Sequence, residues 1–218
     1  MNNKKNYIKP LPEKLINKYR EWKSSGFLKY KDLYGKLTLE GQKPSAMIIS
    51  CVDSRVQSTQ IFDTKPGEFF IHRNIANLIP PYELDSDNTG TAAALEFAVC
   101  SLKVSHIIIL GHSGCGGIKN GYHLFKNDKK NADLFFVNKW LRILKPAFSK
   151  LSIHSSDQSG IEELEKTSIK TSIDNLIEFP FIKNELDAGT LSIHGLWHDI
   201  ASGNLEILDP EAMEFKSC

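Results

Sequence analysis

Two short apolar runs, Ala46-Met47-Ile48-Ile49-Ser50 and His106-Ile107-Ile108-Ile109-Leu110, constrain this chain more than any other feature. Neither alternates polar with apolar side chains, so neither reads as a strand with one face in water. Runs of this kind suit parallel strands covered on both faces. A third run, Glu68-Phe69-Phe70-Ile71-His72, is set off by Pro66-Gly67. Helix patterns follow at residues 90–102 (alanine-rich, with Leu95 and Val99 facing a core), 114–125, 134–145 and 160–187. In the third of these, Phe135, Trp140, Leu141 and Leu144 are available for burial, and Pro146 is expected to end or kink it; Pro180 must interrupt the fourth. Residues 190–197 and 205–208, broken by Gly203-Asn204, read as a closing hairpin or as a fourth and fifth strand. Strands alternating with helices predict an α/β fold, with a mostly parallel central sheet, helices on both faces and an additional edge strand near the C-terminus.

Ahead of the first strand, Leu11, Leu15, Tyr19 and Trp22 recur at helical spacing over residues 10–25, with Gly26 placed to end the helix. Residues 30–39 read as a second helix closed by Gly41. The division expected is a helical N-terminal arm, residues 1–41, and a single α/β domain, residues 42–218. Such an arm could pack on a neighbouring subunit. A chain of 218 residues buries about 70–75% of its unfolded surface and needs no disulfide to hold a core. The formal net charge of +1 gives no global reason to expect nucleic acid or an anionic membrane as partner. The basic run Lys126-Asn127-Asp128-Lys129-Lys130 reads as a solvated loop. No apolar stretch approaches the ~20 residues of a membrane span, and Met1-Asn2-Asn3-Lys4-Lys5 leads into no apolar core. A cytoplasmic location is therefore expected. In a reducing compartment, cysteines such as Cys51 and Cys115 point to metal binding or catalysis before disulfides; Cys100 reads as a small buried residue and Cys218 as a frayed end.

In open parallel sheets, ligands gather beyond the carboxyl ends of strands, where the strand order reverses. Cys51 comes directly after Ala46–Ser50, and Gly111-His112-Ser113-Gly114-Cys115-Gly116-Gly117 follows His106–Leu110. If those strands are neighbours, both motifs open into one crevice. Glycines at 111, 114, 116 and 117 let the backbone fold closely around an ion. The alternative, a phosphate loop at a helix N-terminus, lacks the spacing of Gly-x-Gly-x-x-Gly and any following Gly-Lys-Ser/Thr. The stretch Cys51-Val52-Asp53-Ser54-Arg55 could be a buried thiol beside an ordinary surface ion pair. Beside a metal thiolate, however, Arg55 can hold the Asp53 carboxylate through two parallel hydrogen bonds. Two cysteines and a histidine satisfy a catalytic zinc with one position open, and Asp53 would close the tetrahedron. Two sulfurs, a nitrogen and a carboxylate favour zinc over iron.

These strings resemble the β-class carbonic anhydrases. The likeness is carried by Cys51-Val52-Asp53-Ser54-Arg55-Val56, by Pro66-Gly67-Glu68-Phe69-Phe70-Ile71-His72-Arg73-Asn74-Ile75-Ala76-Asn77, and by Gly111 through Ile118. Pro80-Pro81-Tyr82 and Ala94-Leu95-Glu96-Phe97-Ala98-Val99 are similar to the plant-type branch. The resemblance implies reversible hydration of CO₂ to bicarbonate and a proton, with zinc on Cys51, His112 and Cys115. It implies Asp53 paired with Arg55, either as a conditional fourth ligand that gates the metal or as acceptor of a hydrogen bond from the hydroxide on zinc. Gln42 would orient substrate, Phe70 and Ile75 would line an apolar CO₂ pocket, and the Gly116 amide would lie near the metal. Gln42 and Phe70 would reach in from the partner subunit, making the catalytic unit a homodimer or a dimer-based tetramer. Phe97 stands where plant-type members often carry tyrosine, and Ile48 where the bicarbonate-regulated bacterial branch carries tryptophan. Two other readings share the same residues: hydrolysis of carbonyl sulfide or carbon disulfide on this scaffold, and a non-catalytic zinc protein. His72, His106, His123, His154, His194 and His198 receive no role, and no proton shuttle is assigned.

Overall fold

The computed structural model describes residues 7–83, 89–127, 133–152 and 156–218. Its contacts divide the chain into Met1–Gln42 and Lys43–Cys218. The first unit holds helices α1 (Glu13–Ser24), α2 (Gly26–Lys29) and α3 (Lys31–Glu40). Gly26 does not end α1: the helix stops at Ser24, Ser25 breaks the chain direction, and Gly26 opens α2. A run of aromatic contacts ties the three helices together: Tyr19 to Trp22, Trp22 to Phe27 and Phe27 to Tyr34, with ring centroids 5.6–6.2 Å apart. None of the helical residues of this unit is buried.

The second unit is built on a sheet of six strands: β1 (Ala46–Cys51), β2 (Phe69–Asn74), β3 (His106–His112), β4 (Ser192–His198), β5 (Leu205–Leu208) and β6 (Phe215–Ser217). Their order is β2-β1-β3-β4-β5-β6. The first four are parallel, and β5 and β6 return antiparallel at the edge. The α/β fold with its central, mostly parallel sheet is thus present. The expected single edge strand is two, because the chain reverses again around Asp209 to add β6. The order reverses between β1 and β3: from β1 the chain moves outward to β2, then crosses back to β3. Every residue of β1 is buried, as its unbroken apolar run requires.

Around the sheet lie α4 (Ser58–Ile61), α5 (Thr89–Glu96), α6 (Gly116–Lys126), α7 (Phe135–Trp140), α8 (Lys145–Phe148), α9 (Asp157–Ile177) and α10 (Pro180–Asp187). One face buries Met47, Ile49, Ile107 and Ile109 against Leu95, Ile169, Leu176 and Ile182 from α5, α9 and α10. The opposite face is covered more thinly, with Ile48, Leu110 and Leu196 meeting Val56 and, from α4, Ile61. Proline acts at 180 as expected: α9 stops at Ile177 and α10 starts on Pro180. Pro146 instead opens α8, and the preceding helix has already tightened into a 3₁₀ turn over Leu141–Leu144. Phe135 is 70% exposed rather than buried, since it lies on the first turn of α7, away from Leu141 and Leu144. After Glu96 the helix widens into a π turn, Phe97–Ser101, closed by Leu102 N–H donating to the Phe97 carbonyl. That widening leaves Ala98 and Val99 in the core and turns Cys100 outward, so Cys100 is exposed and not a core residue.

Candidate metal centre

The crevice predicted by the strand order is where the thiols and the imidazole meet. Cys51 is the last residue of β1 and His112 the last of β3, and Cys115 lies three residues on, before the first turn of α6. Their ligand atoms all lie within 4.8 Å of one another. All three residues are buried, and the thiols are set among Ala76, Leu78, Ile118 and Tyr122. The two sulfurs are 3.9 Å apart. Two thiolates at ~2.3 Å from a tetrahedral zinc stand about 3.8 Å apart, so the spacing fits. The histidine fits as well. His112 Nδ1 lies 3.0 Å from the Ser113 carbonyl, which puts the proton on Nδ1, and Nε2 is buried without a hydrogen-bond partner. A buried nitrogen lone pair left open beside two thiols is a ligand position.

Without metal, the two thiols share one proton. The hydrogen bond from Cys115 draws the Cys51 thiol down to about 4 against the opposing effect of burial, with His112 and the backbone amides of Asp53 and Ala76 assisting. The Cys51 thiolate in turn pushes Cys115 up. Burial disfavours His112 as a cation, but the nearby Cys51 sulfur and the Ser113 carbonyl outweigh that and raise it. A divalent cation would take the place of the shared proton and hold both sulfurs as thiolates.

Asp53 stands apart from this trio. Arg55 holds it with three donors: its backbone N–H and Nε reach Oδ1 at 3.0 and 2.9 Å, and Nη2 reaches Oδ2 at 2.8 Å. The Arg55 guanidinium keeps the Asp53 carboxyl well below the usual carboxylate range. Arg55 Nη2 also donates to the Gly114 carbonyl at 3.2 Å, linking the β1 loop to the metal loop. Ile75 lies half-buried after β2; a Cβ on Gly117 would stand 2.8 Å from its Cγ2, so the bare glycine brings the α6 start against it. Gly116 is exposed at the first position of α6. Phe70 is not at this level of the sheet. It pairs with Met47, whereas Asn74 pairs with Cys51, four residues or about 13 Å further along β2. Gln42 is exposed and closes the N-terminal unit.

Several supporting residues went unread in the sequence. Arg73, on β2, donates to the carbonyls of Cys51, Asp53 and Val56 at 2.8–3.0 Å and so shapes the whole β1 loop. Glu165 of α9 is buried, and accepts from the Cys115 backbone N–H at 3.0 Å and from Trp197 Nε1 at 3.2 Å. Ser113 is tied to the β4–β5 turn: its N–H donates to the His198 carbonyl, its Oγ donates to Asp199 at 2.8 Å, and Oγ accepts from Ile200 N–H at 2.9 Å. Ala76, fully buried, holds the left-handed conformation at φ 64°, and its amide faces the Cys51 sulfur. Asn74 stabilises that turn by exchanging two hydrogen bonds with the Leu78 backbone. The family string quoted above contains Arg73, Asn74 and Ala76 but assigns them nothing. Glu165 and Asp199 lie 50 and 86 residues from their partners and carry no local signal.

Known proteins share this architecture. A family model described as carbonic anhydrase matches residues 46–205, which span every residue of the metal centre. Beta carbonic anhydrase 3 of Arabidopsis thaliana is 30% identical over 208 residues, covering 94% of this chain and 78% of that protein. The solved structure of the β-carbonic anhydrase CcaA is 31% identical, superposes with a TM-score of 0.84, and covers 94% of this chain and 98% of that one. A tetrameric β-carbonic anhydrase from Sordaria macrospora is 27% identical with a TM-score of 0.74, covering 90% and 95% of the two chains. A likeness running through the whole sheet and both cysteine loops has one reading: the chain belongs to the carbonic anhydrase family, in its β class.

Proposed function

We propose that this chain hydrates CO₂ reversibly to bicarbonate and a proton, with zinc held by Cys51, His112 and Cys115. The observation that carries the assignment of ligands is the buried, unpartnered Nε2 of His112 facing two sulfurs 3.9 Å apart. Zinc held there would supply an activated water as nucleophile, since zinc lowers the pKa of water from 15.7 to about 7 in carbonic anhydrase. Two thiolates donate more charge than neutral ligands, so activity is expected to rise towards alkaline pH.

The remaining residues bind, orient and exclude water. Asp53, oriented by Arg55, would serve as a hydrogen-bond acceptor beside a metal held by the three ligands. Its carboxyl is held too acidic by Arg55 to retain a proton at neutral pH, so it orients the nucleophile and does not store the product proton. Ile75 offers apolar surface to CO₂, and the Gly116 amide, first in α6, offers a donor to the developing charge. Phe70 lies too far down β2 to reach its own chain's metal, which supports its service, with Gln42, in the site of a partner subunit. The catalytic unit is therefore a homodimer or a tetramer made of dimers; the similar Sordaria macrospora enzymes are tetrameric. The test is stopped-flow CO₂ hydration with a pH dye, with zinc content measured on the same sample. Stoichiometric zinc without turnover at any pH would reject the enzyme reading.

A further inference from the structure

At the far end of the sheet from the metal centre, two histidines face each other. His106 opens β3, and His194 is the third residue of β4. His106 pairs with Ser192, so His194 lies diagonally two residues on and shares its face of the sheet. His106 Nδ1 and His194 Nε2 are 3.1 Å apart, with ring centroids at 5.2 Å and planes at 43°. His106 is exposed and His194 half-buried. At His106, β3 is paired on both sides, and at His194 β4 is paired with β3, which fixes the backbone beneath the two rings. Six residues of β3 separate His106 from His112, or about 20 Å.

Two imidazole nitrogens bound cis to one metal at ~2.0–2.1 Å stand about 2.9–3.4 Å apart. The observed 3.1 Å lies inside that interval. We propose that His106 and His194 form a second metal site, an open bis-imidazole chelate for a nitrogen-preferring divalent cation such as Cu²⁺ or Ni²⁺, ahead of Zn²⁺ at the same two ligands. In the metal-free pair, one facing nitrogen carries the proton of an N–H···N bond. On metal binding that proton moves to the other nitrogen of its own ring, leaving both facing lone pairs free, so the neutral pair loses no proton. Burial and the neighbouring His106 lower the His194 pKa, which favours the neutral ligand form. Among the described residues no third histidine, cysteine or carboxylate completes a cluster here, so the other coordination positions belong to water. The site would bind more weakly than the three-ligand centre and exchange metal readily.

The test uses the intact, zinc-loaded protein titrated with Ni²⁺ by calorimetry, with zinc release followed in parallel. One Ni²⁺ is expected per chain, with no zinc lost. His106→Ala and His194→Ala should each weaken it by about tenfold or more. His106 is exposed, so its variant puts no core packing at risk. In the parent protein, substoichiometric Ni²⁺ should broaden the ring proton signals of His106 and His194 before those of His72 and His123. Absence of Ni²⁺ binding, unchanged binding in the His106 variant, or broadening that starts at other histidines would each overturn the site.

Discussion

At position 53 a carboxylate has two competing uses, and Arg55 decides between them. Held by three Arg55 donors, Asp53 stays outside the cluster of three ligand atoms and keeps acceptor capacity free. Asp53→Asn is therefore expected to keep zinc at full occupancy while slowing CO₂ hydration by about 10²-fold or more, the scale of losing one preorganised hydrogen-bonding group at a reacting centre. Near-normal turnover in that variant, with zinc intact, would count against the role. Cys115→Ser should lose the metal, because a hydroxyl is far harder to deprotonate than a thiol; metal analysis after gel filtration reads this directly. Ser113 acts at one remove. Its carbonyl sets the proton on His112 Nδ1, and its hydroxyl is anchored by Asp199 and the Ile200 amide. Ser113→Ala should weaken zinc binding about 10–100-fold in chelator competition, with Ser113→Thr restoring it, since threonine keeps the hydroxyl. Asp53 and Arg55 were legible because they sit two residues apart and fold onto each other locally. The Ser113–Asp199 bond was not, because strand order, which no local pattern encodes, brings residues 86 apart together.

At the scale of elements, α9 does more than cover the sheet. Its buried residues include the polar Glu165, Ser168, Thr171 and Ser172. Among these Glu165 has the most specific contacts, since its two oxygens pair a ligand's backbone N–H with the Trp197 indole. Burial raises its pKa, and the two donors and His112 pull the other way. Glu165→Leu removes the acceptor for both donors at once and should cost about 2–6 kcal/mol, because each buried donor left unpaired costs ~1–3 kcal/mol. Glu165→Gln keeps one carbonyl oxygen and should cost less. Urea denaturation of the three zinc-loaded proteins ranks them, and equal midpoints would show that the carboxylate is not structural. The helix itself was readable from its apolar spacing and from Pro180, as were β1 and β3 from their unbroken apolar runs. The short β6 was not, for Phe215–Ser217 has neither the length nor the alternation that marks a strand.

Across the whole molecule, the C-terminal edge couples acid stability to the metal centre. Two aspartates organise its turns. Asp199 accepts from Ser113, Ser202 and the Ala201 amide, and these bonds hold it down to about 2. Asp209 accepts from the Glu211 and Ala212 amides and from Lys216, and is likewise held to about 2. Both lie below the 3.8 of an unperturbed aspartate. A carboxylate whose pKa is lowered by folding stabilises the native state fully above its unfolded value and loses that contribution as pH falls towards the folded one. The window thus runs downwards from about pH 4 to about pH 2. Zinc release confuses any acid measurement at Asp199, since protonating the thiolates also frees the metal. Asp209 separates the two effects, because its hydrogen bonds go to Glu211, Ala212, Met213, Glu214 and Lys216, within the β5–β6 segment. In metal-free protein, melting temperature should fall between pH 4 and pH 2, and the fall should be shallower in Asp209→Asn, which has no charge to lose. In zinc-loaded protein, the same substitution should leave the pH of zinc release unchanged, whereas Asp199→Asn should raise it by loosening Ser113 and with it the His112 imidazole. Identical zinc-release profiles for the two variants would mean that the β4–β5 turn does not support the metal loop, despite the bonds that join them.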